Sequence, residues 1–192
     1  MAKKYDFKPD KPQVNILSKL YITELQRKNI LKWFLYAMLL LVLSLLQDVI
    51  LCRFRLFGAT SDLVPCAIIL ICILEGTEKG SLFALIAALA YLFSGTAPGA
   101  YAMVLITVLA VFSCMFRQGY LRKGFSAAML CTCLAIFLYE MALFGIGLFL
   151  DLTHSGRFVG FCVTAGLSML AAPILYPLVQ FIGSIGGDIW KE

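Results

Sequence analysis

The sequence predicts an all-α polytopic membrane protein with six transmembrane helices, and three observations predict it. Hydrophobic residues make up 61% of the 192 and charged residues 14%, far from the balance of a soluble domain. Apolar runs recur along the chain at the length that crosses a hydrocarbon core of about 30 Å. Between them lie short turns rich in Gly, Pro or charge, the residues that end helices and meet water.

Residues 1–29 read as a basic cytoplasmic extension. Within KPQVNILSKLYITELQRKNILKWF, Val14, Leu17, Leu20, Tyr21 and Leu25 fall near one helical face, with Lys19, Arg27 and Lys28 elsewhere. The stretch reads either as an interfacial helix on anionic lipid headgroups or as a loosely ordered tail that only sets orientation. Residues 1–11 are expected to be disordered in both readings. The extension lacks the short apolar core of a cleavable signal peptide, so the first span is expected to stay in the mature protein.

The membrane domain is expected over residues 30–183, with a short cytoplasmic tail at 184–192. Its spans are Ile30 to Leu51, Leu63 to Leu74, Gly80 to Ser94, Gly99 to Phe116, Gly124 to Leu150 and Arg157 to Ile182. The second is short: twelve residues cover only about 18 Å, so it is either re-entrant or borrows length from Phe57 to Thr60. The fifth has the opposite mismatch at about 40 Å, which predicts tilt or an unwound end near Gly145 and Gly147.

Gly76, Thr77, Glu78, Lys79 and Gly80 read as a tight solvated turn, since GTEKGS lacks the spacing of a phosphate-binding loop. The matching GTAPG turn at Gly95 to Gly99 carries no charge, and its Pro98 can open the next helix. Pro173 and Pro177 predict a kink in the sixth span. With a cytoplasmic N-terminus, all of the 16 Lys and Arg residues except Arg53, Arg55 and Arg157 fall on the inside. Both termini are therefore placed in the cytoplasm.

Little in the chain points to catalysis, and no cofactor or nucleic-acid partner is expected. The seven cysteines include no C-x-x-C pair, and Cys131 and Cys133 are about 200° apart on a helix; they read as packing residues. His154 is the lone histidine, in an external loop, so neither a triad nor a multi-histidine metal site can be built.

Glu140 is the most informative polar residue, because FLYEMALF buries a carboxylate among apolar neighbours, where ionisable groups are expensive and face the bundle interior. Its expected fates are protonation, pairing with Tyr139, Tyr91 or a basic group, or contact with a partner subunit. Gln47, Asp48 and Asp62 read as capping and solvated residues near the interface. Gly156, Gly160, Thr164, Ser168 and Ala172 recur every four residues on the sixth span, and Gly80, Ala84 and Ala88 do so on the third. Such stripes let another helix approach closely, within the chain or from a partner.

The first span ending in SLLQDVIL, the segment DLVPCAIILICILEG and the stretch KGSLFALIAALAYLFSGTAPGAYAM together resemble the rod shape-determining protein MreD family over about residues 33–183. That family is similar in fold to the substrate-binding membrane subunits of energy-coupling-factor vitamin transporters, which implies six helices around a possible central cavity. The resemblance implies a non-enzymatic scaffold of the bacterial cytoplasmic membrane that binds MreC. It further implies coupling of MreB filaments to RodA and a class B penicillin-binding protein for lateral peptidoglycan synthesis. Two departures stand out: Tyr91 occupies a position where many members carry an Asp, and the basic extension is longer than the family core. The competing reading is a vitamin-binding transporter subunit, with Tyr91, Tyr101, Tyr139 and Glu140 lining an outward pocket.

Overall fold

A computed structural model describes residues 24–51, 53, 59–95, 97–121 and 124–185, with the backbone alone at Leu25. The start expected to be disordered, the expected interfacial stretch up to residue 23 and the tail beyond Ile185 lie outside the described residues; the rest of that stretch, from Glu24, belongs to α1. Six α-helices follow one another: α1 (Glu24–Leu46), extended by a π-helical turn at Gln47–Leu51, α2 (Leu63–Glu75), α3 (Thr77–Phe93), α4 (Ala100–Tyr120), α5 (Phe125–Phe149) and α6 (Phe158–Ile185). No strand occurs among the described residues. The stretches Gln26–Leu51, Ala100–Tyr120, Phe125–Phe149 and Ser155–Ile185 are long and apolar enough to cross a membrane; α2 and α3 are shorter.

The contacts place α2 at the centre. It touches every other helix, and the others close a ring around it in the order α1, α3, α4, α5, α6 and back to α1. Every residue from Leu63 to Leu74 is buried, because a helix that is apolar on all sides finds its best solvent inside a bundle. The outer helices turn their large apolar side chains the other way: Phe34, Leu41 and Leu45 on α1, Val104 and Val108 on α4, and Leu170 and Ile174 on α6 are exposed.

Central burial resolves the length problem of the second segment. A 13-residue helix rises about 20 Å, and its termini lie within the bundle, where orphan N–H and C=O groups need partners. Other helices supply them. The Gln47 side-chain oxygen accepts from the backbone N–H of Leu63 at 3.0 Å and of Val64 at 3.2 Å. At the opposite end the Arg117 guanidinium donates to the Ile73 carbonyl. Ala59 and Thr60 are not helical, so α2 borrows no length from them.

The turn between α2 and α3 is tighter than expected. Gly76 alone interrupts the helices, at φ 93°, a left-handed value that glycine adopts without strain. Thr77 to Gly80 already belong to α3. A methyl group on Gly80 would lie 2.7 Å from the Cys72 carbonyl oxygen, so α3 crosses α2 backbone to backbone at this point. Ala84 and Ala88 continue the buried stripe.

Two expectations about helix ends are corrected. α5 does not unwind at Gly145 or Gly147: it stays helical to Phe149, and the N–H groups of Asp151 and Leu152 bond back to Leu148 and Gly147. Asp151 takes φ 54°, and together these features make a Schellman closure. Pro98 precedes Gly99, the residue that caps α4, and so lies outside that helix. α6 continues through Pro173 and Pro177, both exposed.

Candidate functional site

Polar groups gather at the two ends of α2, and the two gatherings differ in kind. At the Glu75 end, Lys32 Nζ lies 2.6 Å from Glu75 Oε2, both side chains buried. Tyr36 donates to Glu75 Oε1 at 2.8 Å and also contacts the Val179 carbonyl at 3.3 Å. Trp33 and Phe83 pack against the Tyr36 ring. Both carboxylate oxygens are therefore satisfied, as a buried ion pair requires. Lys32, Tyr36, Leu43 and Gln47 are the buried positions that turn one stripe of α1 toward the bundle.

At the Asp62 end, Asp62 and Glu140 meet side by side in a hydrogen bond between their carboxyl groups. Such a bond needs a proton on one partner, so the pair holds at most one negative charge. Gln47 donates its amide to Asp62 Oδ1 at 3.1 Å, and the Asp62 N–H donates to Ser168 Oγ at 2.8 Å. In the connecting segment before α2, burial raises the Asp62 carboxyl to about 6, and the Glu140 hydrogen bond acts in the lowering direction,.

Satisfaction is incomplete at this end. Glu140 Oε1, Tyr139 OH, Ser61 Oγ and Thr153 Oγ1 are buried without a hydrogen-bond partner. Of these four residues Glu140 lines a cavity of about 640 Å³, together with Asp62, Tyr91, Gly156, Arg157, Gly160 and Thr164 among others. A separate groove of about 320 Å³ runs between α1 and α3 past Ala37, Leu40, Leu41, Phe83 and Ile86, and Tyr91 borders it as well.

The site residues expected from the sequence thus divide. Glu140, Tyr91, Gly156, Gly160 and Thr164 converge on one cavity. Tyr139 is fully buried next to Glu140 but does not line it. Ser168 and Ala172 are fully buried in the bundle; the Cys66 thiol contacts the Ser168 carbonyl at 3.7 Å, so this half of the stripe serves internal packing. Of the two alternatives the stripe left open, Ser168 and Ala172 take packing within the chain.

Glu140 pairs with Asp62, a partner the sequence does not suggest. The solvated reading of Gln47 is corrected: Gln47 is buried and caps α2. Asp62, half-buried, sits at the N-cap position without a side-chain cap bond. Asp48 is exposed. Four further polar residues join these gatherings without having stood out as site residues in the sequence: Lys32, Tyr36, Glu75 and Arg117. Lys32, Tyr36 and Gln47 lie at helical spacing in an otherwise apolar span, the one signal that could have revealed a buried polar stripe.

The cysteines behave as packing residues among the described chain: Cys66, Cys72, Cys114 and Cys131 are buried and free, and Cys133 and Cys162 are half-buried and free. Comparison of the chain with family models, with curated proteins and with solved structures finds no significant match.

Proposed function

We propose that the chain is a non-enzymatic membrane scaffold of the MreD type, which binds MreC and supports lateral peptidoglycan synthesis in the bacterial cytoplasmic membrane. In this reading all six helices enter the bilayer, both termini are cytoplasmic, and the basic extension contacts anionic lipids. MreB, RodA and a class B penicillin-binding protein are the further partners.

One observation carries the reading. The segments on which the resemblance rests are those that build the centre: DLVPCAIILICILEG is the buried α2, and KGSLFALIAALAYLFSG is α3, seated on it through Gly80. The resemblance therefore falls on residues with structural work to do, beyond shared hydropathy. A partner helix would dock by close packing on small residues, since lipid supplies no hydrophobic drive between helices. Gly156 and Gly160 remain open for it, with no atom within 4 Å of an added methyl group.

Affinity purification of the tagged full-length protein from mildly solubilised membranes, followed by mass spectrometry, tests the reading. Recovery of MreC with RodA or the penicillin-binding protein is expected, and Gly160→Leu should reduce the MreC yield without loss of membrane insertion. The cavity beside Tyr91 and Glu140 favours a second reading, a vitamin-capture subunit of an energy-coupling-factor transporter. Recovery of a coupling membrane subunit with paired ATPases would establish that reading and sink the first.

A further inference from the structure

The Asp62 end holds a feature that a purely structural cluster does not need: a carboxyl oxygen, Glu140 Oε1, buried and without a partner beside a cavity. Glu140 is only 2% exposed. Buried acceptors in native structures are satisfied as a rule, and an exception asks for a missing donor. A ligand that fits must therefore bring N–H or O–H groups and no more than one positive charge, because the hydrogen-bonded pair carries at most one negative charge.

Arg157 lines the same cavity from the short turn just before α6 and is exposed. The ion pair present among the described residues is Lys32–Glu75, so the Arg157 guanidinium is not consumed by the Asp62–Glu140 pair. The cavity thus offers an acceptor at depth and a cation at the rim. Among the described residues no group of three or more His, Cys, Asp or Glu could hold a metal ion, and two carboxyls sharing a proton make a poor site for a divalent cation.

We propose that this cavity binds a zwitterion, its primary ammonium donated to the Asp62–Glu140 pair and its phosphate held by Arg157. The ethanolamine phosphate headgroup of a phospholipid has this chemistry, and so does free phosphoethanolamine. The apolar groove bordered by the same Tyr91 gives an acyl chain somewhere to lie, which favours the lipid as source. A quaternary choline lacks the N–H groups the pair requires. The inference goes beyond the scaffold reading and does not depend on it, because ligand binding and partner recovery are read separately.

Calorimetric titration of the full-length protein in detergent tests it with four probes: dihexanoyl phosphatidylethanolamine, the matching phosphatidylcholine, the matching phosphatidylglycerol, and phosphoethanolamine. The ethanolamine lipid is expected to bind at least about tenfold more tightly than the choline and glycerol lipids, the scale of one charge-assisted hydrogen bond. Glu140→Gln and Arg157→Gln should each weaken it about tenfold on the same grounds; Arg157 is exposed, so its variant keeps the fold even if the other does not. Equal affinity for free phosphoethanolamine assigns a soluble source, and binding of the lipid alone assigns the membrane; both support the chemistry. Absence of binding by every probe, equal binding of the three lipids, or unchanged binding in Arg157→Gln would overturn it.

Discussion

The two ends of α2 use the same kinds of residue to opposite effect. At one end Glu75, Lys32 and Tyr36 form a closed set in which the carboxylate is fully engaged. At the other, Asp62 and Glu140 put two acids together, and buried polar atoms remain without partners next to a cavity. A neutralised, satisfied cluster adds definition to a fold, whereas an unsatisfied one costs stability and persists where it serves a ligand or partner. On the proposed reading, the Glu75 end does structural work and the Asp62 end meets a ligand or partner.

The largest expected effect comes from making an isosteric change at the closed end. Glu75→Gln keeps the volume but leaves the Lys32 ammonium buried opposite a neutral amide. Breaking a buried pair in this way costs about 3–5 kcal/mol. Thermal denaturation of the purified protein should show a large fall in midpoint, and the double variant Lys32→Met/Glu75→Leu should recover much of it. A midpoint unchanged by Glu75→Gln would remove the structural role from this end.

Two glycines sharpen the contrast through packing alone. Gly80 meets the Cys72 backbone, where an added methyl group has no room, while Gly160 faces open space. Gly80→Ala is expected to destabilise by about 1–3 kcal/mol, as overpacking does. Gly160→Ala should alter stability by no more than about 1 kcal/mol, the helix-propensity difference between the two residues. Equal effects at both positions would show that the cavity closes in the membrane.

The same residues explain how far the sequence could be read. Helix positions were legible because apolar runs and Gly or Pro turns are local properties: α2 spans Leu63–Glu75 against an expected Leu63 to Leu74. Its place at the centre was not, since hydropathy records how apolar a helix is and not what surrounds it. Glu140 was legible from its apolar neighbours, but its partner Asp62 sits on a distant segment and looked like an interfacial residue. In the sequence Lys32 is one more inside charge that sets orientation, although Glu75 neutralises it inside the bundle. The α6 stripe was legible as a stripe; that Ser168 and Ala172 pack inward while Gly156 and Gly160 stay open depends on where α2 ends, which no spacing encodes.

A third variant probes the junction between the ends of α1 and α2. Gln47→Leu removes the acceptor for the Leu63 and Val64 N–H groups and the donor to Asp62. Leaving buried backbone donors unpaired costs about 1–3 kcal/mol, so its midpoint should fall less than that of Glu75→Gln. Amide hydrogen exchange should accelerate in the first turn of α2 and leave the turn at Gly76 unaffected. Uniform acceleration along α2 would mean that its two ends open together.

The smallest effect on stability is expected from Glu140→Gln, the same chemical change as at Glu75 but in the opposite setting. A glutamine amide can donate to Asp62 without the proton that two carboxyls must share, and it fills the same space. The substitution removes the need to bury a second acid and strands no counter-charge, so stability should change by less than about 1 kcal/mol, in the range of changes that leave a site satisfied. Measured beside Glu75→Gln, it isolates the setting from the chemistry. A large loss would mean that the acid pair holds the bundle together and that the unpartnered Glu140 oxygen is a by-product of packing. A negligible loss, with binding or partner recovery impaired, would mean that the carboxylate is maintained for what it meets in the cavity.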